Sequence, residues 1–326
     1  MIDFSIIIPS FNKSGYISET IDSVLSQSYT NLELIVVDDG STDNSLEIIE
    51  NYCTLDKRIH LYQRENLPKG GSACRNIGLE IAKGKYIIFL DADDVLISDC
   101  LKQRLSNIKM FPHHNFWVFP IGTFYKTLGD SKSRWIPVGT NFLIKFLKHE
   151  LPWQTMSVVW NKNYIRALNG FDTDYLRLQD VELHTRALLG KVSFKTFPKN
   201  KIDAFYRIDD QRTTQNLEQK LTKQMNGVIL YLEKTSILLN TNIEKKAIKG
   251  TLFGFLTYLN YQCFIITNRL ELHKKIFDSL TVNICSLDIL KKNDLRFLNL
   301  YSKYYKNGFW KLKGYNYLMK SIFIKI

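Results

Sequence analysis

The sequence predicts an α/β fold: a mostly parallel sheet with helices on both faces, followed by a mainly α-helical C-terminal region. Three observations predict it. Over the first 95 residues, short β-branched apolar runs alternate with segments of helical period. Beyond residue 215 the apolar spacing turns helical and stays so. The charge changes at the same place. Residues 212–325 hold 19 Lys and Arg against 7 Asp and Glu, which is the whole net charge of +12, so residues 1–210 sum to zero. A division into 1–210 and 211–326 follows.

The elements come in order. Phe4 to Pro9 is a strand buried on both faces, and Ile17, Ile21, Val24 and Leu25 mark a helix within Ser14 to Ser28. Leu32 to Val37 is a second buried strand ending in Asp38, Asp39 and Gly40. Ser41 or Thr42 is expected to cap the next helix, which carries Leu46, Ile48 and Ile49. Arg58 to Tyr62 is a third, weaker strand. Gly70 and Gly71 open a helix through Ala82, with Gly84 expected to close it. Tyr86 to Leu90 is a fourth buried strand, ending in Asp91, Ala92, Asp93 and Asp94. Strand-like aromatics follow from Asn115 to Phe124, then the apolar run Ser157 to Trp160 and a short helix Lys162 to Leu168. Gly170-Phe171-Asp172 leads to a charged helix, Gln179 to Leu189. Val192 to Phe197 and Ile202 to Arg207 alternate like edge strands. Leu221, Met225, Val228 and Leu232 share one helical face, as do Ile248, Leu252, Phe255 and Leu259.

Composition narrows the class. At 326 residues, 45% hydrophobic and 23% charged, the chain can bury a large core, which excludes disorder and a disulfide-stapled mini-fold. Cys53, Cys74, Cys100, Cys263 and Cys285 are scattered without a CxxC pair and read as reduced thiols. No apolar run is long enough for a membrane span, and MIDFSIIIPSFN does not read as a signal peptide. A cytoplasmic chain is expected.

In an open parallel sheet, ligands bind at the carboxyl ends of the strands. Here those ends carry Ser10, Phe11 and Asn12; Asp38 and Asp39; and Asp91, Asp93 and Asp94. Asp91 and Asp93, two residues apart beyond a strand, reach one hard divalent cation, or else Asp93 or Asp94 caps the following helix. Asp39 either accepts hydrogen bonds from a base or ribose or caps a helix. Arg75 and Asn76 lie in the glycine-opened helix, where Arg75 faces a phosphate or base or is a surface cation.

IIIPSFN, VVDDGSTD, the stretch from Asn66 through Gly70 to Arg75-Asn76-Ile77-Gly78, and the run from Ala82 to Asp94 resemble the family 2 glycosyltransferases of the GT-A fold. Order and spacing match over residues 4–94, and less sharply to about 210. The resemblance implies a Rossmann-like GT-A domain that binds a nucleotide-sugar donor. Pro9 and Phe11 would line the nucleobase pocket, with Phe11 standing where the family has Tyr. Asp39 would hold the base, uracil in the UDP-sugar case. Arg75 would fix the nucleotide. Asp91 would touch the ribose or sugar, and Asp93 would bind Mn²⁺ or Mg²⁺ on the diphosphate. The family's acidic pair is Gln179-Asp180 here, so Asp180 takes the role of catalytic base and Glu182 is a fallback. Gly170-Phe171-Asp172 resembles the family's GGFD loop, with Asn169 at the first glycine. Tyr206-Arg207-Ile208-Asp209 resembles a YRxH motif whose His assists the metal; Asp209 either keeps that contact as a metal ligand or loses it. His184 is structural or faces the acceptor.

The implied activity is an inverting, metal-dependent transfer of a sugar to a glycan or lipid-linked glycan in surface polysaccharide or lipopolysaccharide assembly. Two alternatives are a catalytically impaired sugar-nucleotide-binding relative and a sugar nucleotidyltransferase. The latter fits less well, because PSFNKSGY holds one glycine rather than a Gly-rich loop. Nucleic acid is not an expected partner, since the excess charge lies outside the motif-rich part. Lys311, Lys313, Lys320 and Lys325 interleave with Trp310, Tyr315, Tyr317, Leu318, Ile322, Phe323 and Ile324. That C-terminal stretch is either a peripheral anchor on an anionic membrane face or a helix docked on the core.

Overall fold

The computed structural model describes residues 2–64, 69–190, 192–208 and 216–325. The chain divides into two compact units. The first comprises Met1–Thr140, Pro152–Asp174 and Lys191–Gln211; the second comprises Asn141–Leu151, Tyr175–Gly190 and Arg212–Ile326. Asn141–Leu151 and Tyr175–Gly190 thus cluster with the helical region.

The first unit is built on a seven-stranded sheet. Its strands are β1 (Phe4–Ser10), β2 (Leu32–Asp38), β3 (Ile59–Gln63), β4 (Tyr86–Phe89), β6 (Phe116–Val118), β9 (Val158–Asn161) and β10 (Phe194–Thr196), in the order β10-β6-β9-β4-β1-β2-β3. Alternation sorts the strand residues onto two faces. Phe4, Ile6, Ile8, Leu34, Val36 and Ile88 pack in one core with Ile17, Ile21 and Val24 of α1 (Ile17–Leu25), Ile49 of α2 (Ser45–Leu55) and Leu101, Leu105 and Ile108 of α4 (Cys100–Met110). Ile7 points to the other face, where Gly78 of α3 (Gly71–Ile81) lies against its side chain. Both faces are thus covered, which is why these strands read as unbroken apolar runs. The sheet is parallel except at β9, which runs antiparallel to both β4 and β6.

A second sheet of four strands has the order β5-β11-β7-β8, with β5 (Val95–Leu96), β7 (Ile121–Phe124), β8 (Arg134–Trp135) and β11 (Ala204–Arg207). The aromatic run 115–124 is therefore split between two sheets. β10 is an edge strand as expected, but β11 is interior, paired with β5 and β7. Two local expectations are corrected. α2 starts at Ser45, and Asp43 rather than Ser41 or Thr42 takes the first amide, accepting from Ser45 N at 3.0 Å. α3 ends at Ile81 with Ala82 as its C-cap; Gly84 is required instead by close approach, since a Cβ there would stand 2.5 Å from Ser5 N. Short α6 (Lys162–Ala167) completes this unit.

The second unit is helical among its described residues. It holds α5 (Phe142–Leu147), α7 (Gln179–Leu189), α8 (Leu217–Ser236), α9 (Asn242–Ala247), α10 (Lys249–Asn260), α11 (Leu270–Ile284), α12 (Lys292–Lys306) and α13 (Tyr315–Lys325). The apolar stripes of α8 and α10 are buried, as their spacing predicts. No helix among the described residues is long and apolar enough to cross a membrane. The five cysteines are unbridged.

This unit carries a pH dependence. Burial pushes His149 down to about 4, helped by Lys320. It pushes His184, packed against Phe146, down to about 3. Burial also takes His273 down to about 4, with Asp278 opposing and Lys306 assisting. An unfolded His titrates near about 6.5. Below that pH the unfolded chain takes up protons that the folded unit does not, so stability present above about 6.5 is lost as pH falls toward 4. Thermal melts should show a falling Tm over that window, and His184→Leu should flatten the slope. An unchanged slope in that variant would remove His184 from the account.

Candidate active site

The parallel register of β1, β2 and β4 decides which side chains meet. Ser10 lies opposite Asp38, and Ile7 lies opposite Phe89, so two residues further Asp91 is level with Pro9. The polar residues just past these strands therefore share one sheet edge. Phe11, next in the chain, leaves half its side-chain surface exposed there.

Asp38 and Asp39 have different tasks. Asp38 is consumed by its own turn: it accepts from Gly40 N at 2.9 Å, Ser41 N at 2.8 Å and Ser41 Oγ at 2.5 Å. Asn12 and Ser41 tie this turn to the end of β1. Asp39 is buried, accepts from Gly70 N at 2.7 Å, and lies 3.4 Å from the Arg64 guanidinium. Nearby, burial pushes the Asp43 carboxyl up, but hydrogen bonds from Ser45 and Ser14 outweigh it and hold the group down at about 2.

The Asp91–Asp94 turn divides its labour the same way. Asp91 is part exposed and ion-paired with Arg75. Asp93 is 1% exposed, and the Lys13 ammonium lies 2.6 Å from its Oδ2. Asp94 is structural: it accepts from Arg207 N at 2.9 Å, while Arg207 Nε donates to Asp93 O at 2.9 Å. The Arg207 guanidinium also pairs with Glu19 and lies over the Tyr16 and Phe124 rings. β11 thereby pins the turn that presents Asp93.

Asn76 makes a further clamp. Its Nδ2 donates to Phe171 O at 2.8 Å and its Oδ1 accepts from Phe171 N at 2.8 Å. The turn that allows this passes through Asn169 and Gly170, both at positive φ. A Cβ on Gly170 would stand 2.3 Å from Asn76 Oδ1, so only glycine admits the clamp. Phe171 sits edge-on to Phe89 at 5.0 Å, and the Arg75 guanidinium lies 5.2 Å from its ring centre. The Gly170-Phe171-Asp172 turn is thus held on the helix that carries Arg75.

The sheet edge brings together Phe11, Asp39, Arg75, Asp91 and Asp93 of the residues read from the sequence. Asp209 lies outside the described residues. Asp180 and Glu182 belong to the second unit, in the first turn of α7, where Glu182 is nearly buried and bridges to Arg186 at 2.5 Å. Sequence reasoning gave no role to Lys13, Arg64 or Arg207. The signal was present: carboxylates buried at strand ends need cationic partners, and these three lie within a few residues of strand ends.

No group of three or more His, Cys, Asp or Glu among the described residues forms a metal cluster. The donor set still suits a hard cation, because Mg²⁺ and Mn²⁺ sites often use one or two carboxylates and take the remaining oxygens from substrate phosphates and water. Asp91 and Asp93 could serve, with the Lys13 ammonium giving way on Asp93.

A family model described as Glycosyl transferase family 2 matches residues 5–167. An uncharacterized glycosyltransferase of Haemophilus influenzae is 47% identical over 116 residues, 34% of this chain and 46% of that protein. The putative teichuronic acid biosynthesis glycosyltransferase TuaG of Bacillus subtilis is 45% identical over 103 residues, 31% of this chain and 40% of that protein. The matched stretches thus span less than half of these relatives. Among solved structures, S. aureus TarS 1–349 superposes with TM-score 0.66 at 19% identity, covering 98% of this chain and 91% of that one. It has also been solved with UDP and with UDP-GlcNAc. The mannosyltransferase PcManGT of Pyrobaculum calidifontis, with GDP-Man and Mn²⁺, has TM-score 0.56 at 15% identity, covering 98% of this chain and 86% of that one. At these identities the likeness is one of fold.

Proposed function

This chain belongs to glycosyl transferase family 2, and from that premise we propose that it moves a sugar from a nucleotide-diphosphate donor to an acceptor hydroxyl, inverting the anomeric carbon. The observation that carries the reading is the sheet edge. Asp39, Asp91 and Asp93 converge there with Lys13 and Arg75, a mixed set of acids and cations suited to a base, a ribose and a diphosphate. A UDP-sugar is the first donor class, given the TarS complexes.

The roles follow from chemistry. Asp39 accepts the ring N–H of the base, and Phe11 offers an exposed ring to its face. Arg75 and Lys13 stabilise negative charge as the diphosphate leaves. A divalent cation held by Asp91 and Asp93 would add positive charge at that same leaving group. The resemblance assigns the acceptor proton to Asp180. Glu182 is the weaker candidate, since Arg186 already engages both its oxygens. The acceptor class is a glycan or lipid-linked glycan of surface polysaccharide assembly, as the TuaG likeness suggests.

The test is nucleotide release from a panel of sugar nucleotides with Mn²⁺, Mg²⁺ or EDTA. One UDP-sugar should be hydrolysed slowly, and EDTA should lower that rate by about a hundredfold or more. Equal rates in EDTA would remove the metal from the proposal. Gln179 at the family's acidic position favours a second reading, an impaired donor-binding relative. That reading predicts a Tm rise with UDP and Mn²⁺ but no turnover of any donor with any acceptor.

A further inference from the structure

We propose that the C-terminal helical segment carries an exposed face that docks on an anionic lipid surface. Residues 295–325 contain seven Lys and Arg and no Asp or Glu. Helix α13 is anchored on one side by Phe323, fully buried with its ring 6.0 Å from Phe253 and 5.4 Å from Phe297. Tyr317, Leu318 and Ile322 lie on its other side and are 79%, 57% and 39% exposed. At 3.6 residues per turn they occupy an arc of about 140° away from Phe323. Just before α13, Phe309 and Leu312 are also exposed. The Phe309 ring lies 6.2 Å from that of Tyr315, the first residue of α13. Lys311, Lys313 and Lys325 are exposed among them.

Single exposed apolar side chains are ordinary. Five along one basic, acid-free stretch are not, and their pattern selects the partner. A nucleic acid would meet the lysines and leave Leu312, Leu318 and Ile322 in water. A lipid surface satisfies both: lysines meet anionic headgroups while aromatic and aliphatic side chains enter the headgroup–acyl boundary. Of the two alternatives posed by the sequence, α13 docks through Phe323, and the proposal places the anchor on its opposite side. The inference goes beyond sugar transfer and stands apart from it, because lipid binding is read without turnover.

The experiment is flotation of the full chain with vesicles of mixed phosphatidylglycerol and phosphatidylcholine, and with phosphatidylcholine alone. Wild type should float only with the anionic vesicles. Each lysine near the surface is worth about fivefold in partitioning, so K311E/K313E should lose about 25-fold or more. L318S/I322S should lose about tenfold. All four side chains touch solvent, so Tm should hold in both variants. Should the serine pair melt early, K311Q/K313Q with salt titration carries the test instead. Equal flotation on both vesicle types overturns the proposal. So does wild-type binding in the serine pair, which would mean adsorption by charge alone, or tighter binding to a mixed-sequence RNA oligomer than to anionic vesicles.

Discussion

Asp180→Asn should lower kcat for sugar transfer by about 10²–10⁴-fold, the range for losing a positioned general base. The change keeps the side chain's size, removes its negative charge and with it the ability to take a proton, and replaces one acceptor oxygen with a donor NH2. Donor binding should therefore hold, with the Kd for the nucleotide unchanged by calorimetry. Glu182→Gln is the informative control. Its carboxylate is engaged by Arg186 four residues on, one helical turn away, so losing it should cost a few tenths of a kcal/mol of helix stability and little kcat. If Asp180→Asn kept full kcat while Glu182→Gln abolished it, the base would be Glu182 and the reading of the Gln179-Asp180 pair would fall. Loss of donor binding in Asp180→Asn would instead give Asp180 a structural role.

The sequence made the sheet edge legible because buried parallel strands leave a simple trace. An apolar run followed by a polar residue marks both the strand and its carboxyl end, and Asp39, Asp91 and Asp93 were visible in that way. The partners of these acids were not. Lys13 meets Asp93 across 80 positions of sequence, and Asn76 meets Phe171 across 95. Such pairs depend on register and crossover, which no local pattern records. The same reason hid β11. A short alternating stretch looks alike at an edge or between two strands, and only its pairing with β5 and β7 makes it the brace behind Asp93 and Asp94. Gly84 shows a related limit. A glycine after a helix suggests a cap, but the contact with the Phe4–Ser5 backbone that demands it comes from far upstream.

Arg104→Leu should destabilise the protein by about 3–5 kcal/mol, the cost of stripping one partner from a buried ion pair. Arg104 is fully buried, and its guanidinium bonds both Asp203 oxygens at 3.0 and 2.6 Å and Met156 O at 2.9 Å. Its removal leaves the Asp203 carboxylate buried without its guanidinium partner. The double variant Arg104→Leu/Asp203→Leu removes both charges and should recover most of the loss, since hydrophobic replacement of a whole buried pair is often neutral. The consequence reaches the candidate active site through the small sheet. Asp203 O accepts from Ile97 N at 3.0 Å, and β5 and β11, which this contact joins, lead directly to Asp94 and Arg207. Loosening that joint should weaken donor binding in the single variant even at temperatures where it stays folded. Chemical denaturation gives the first effect and UDP calorimetry the second. If the double variant were as unstable as the single one, packing volume rather than uncompensated charge would explain the loss. The pair would then be a filler of the core rather than an electrostatic fixture behind Asp93.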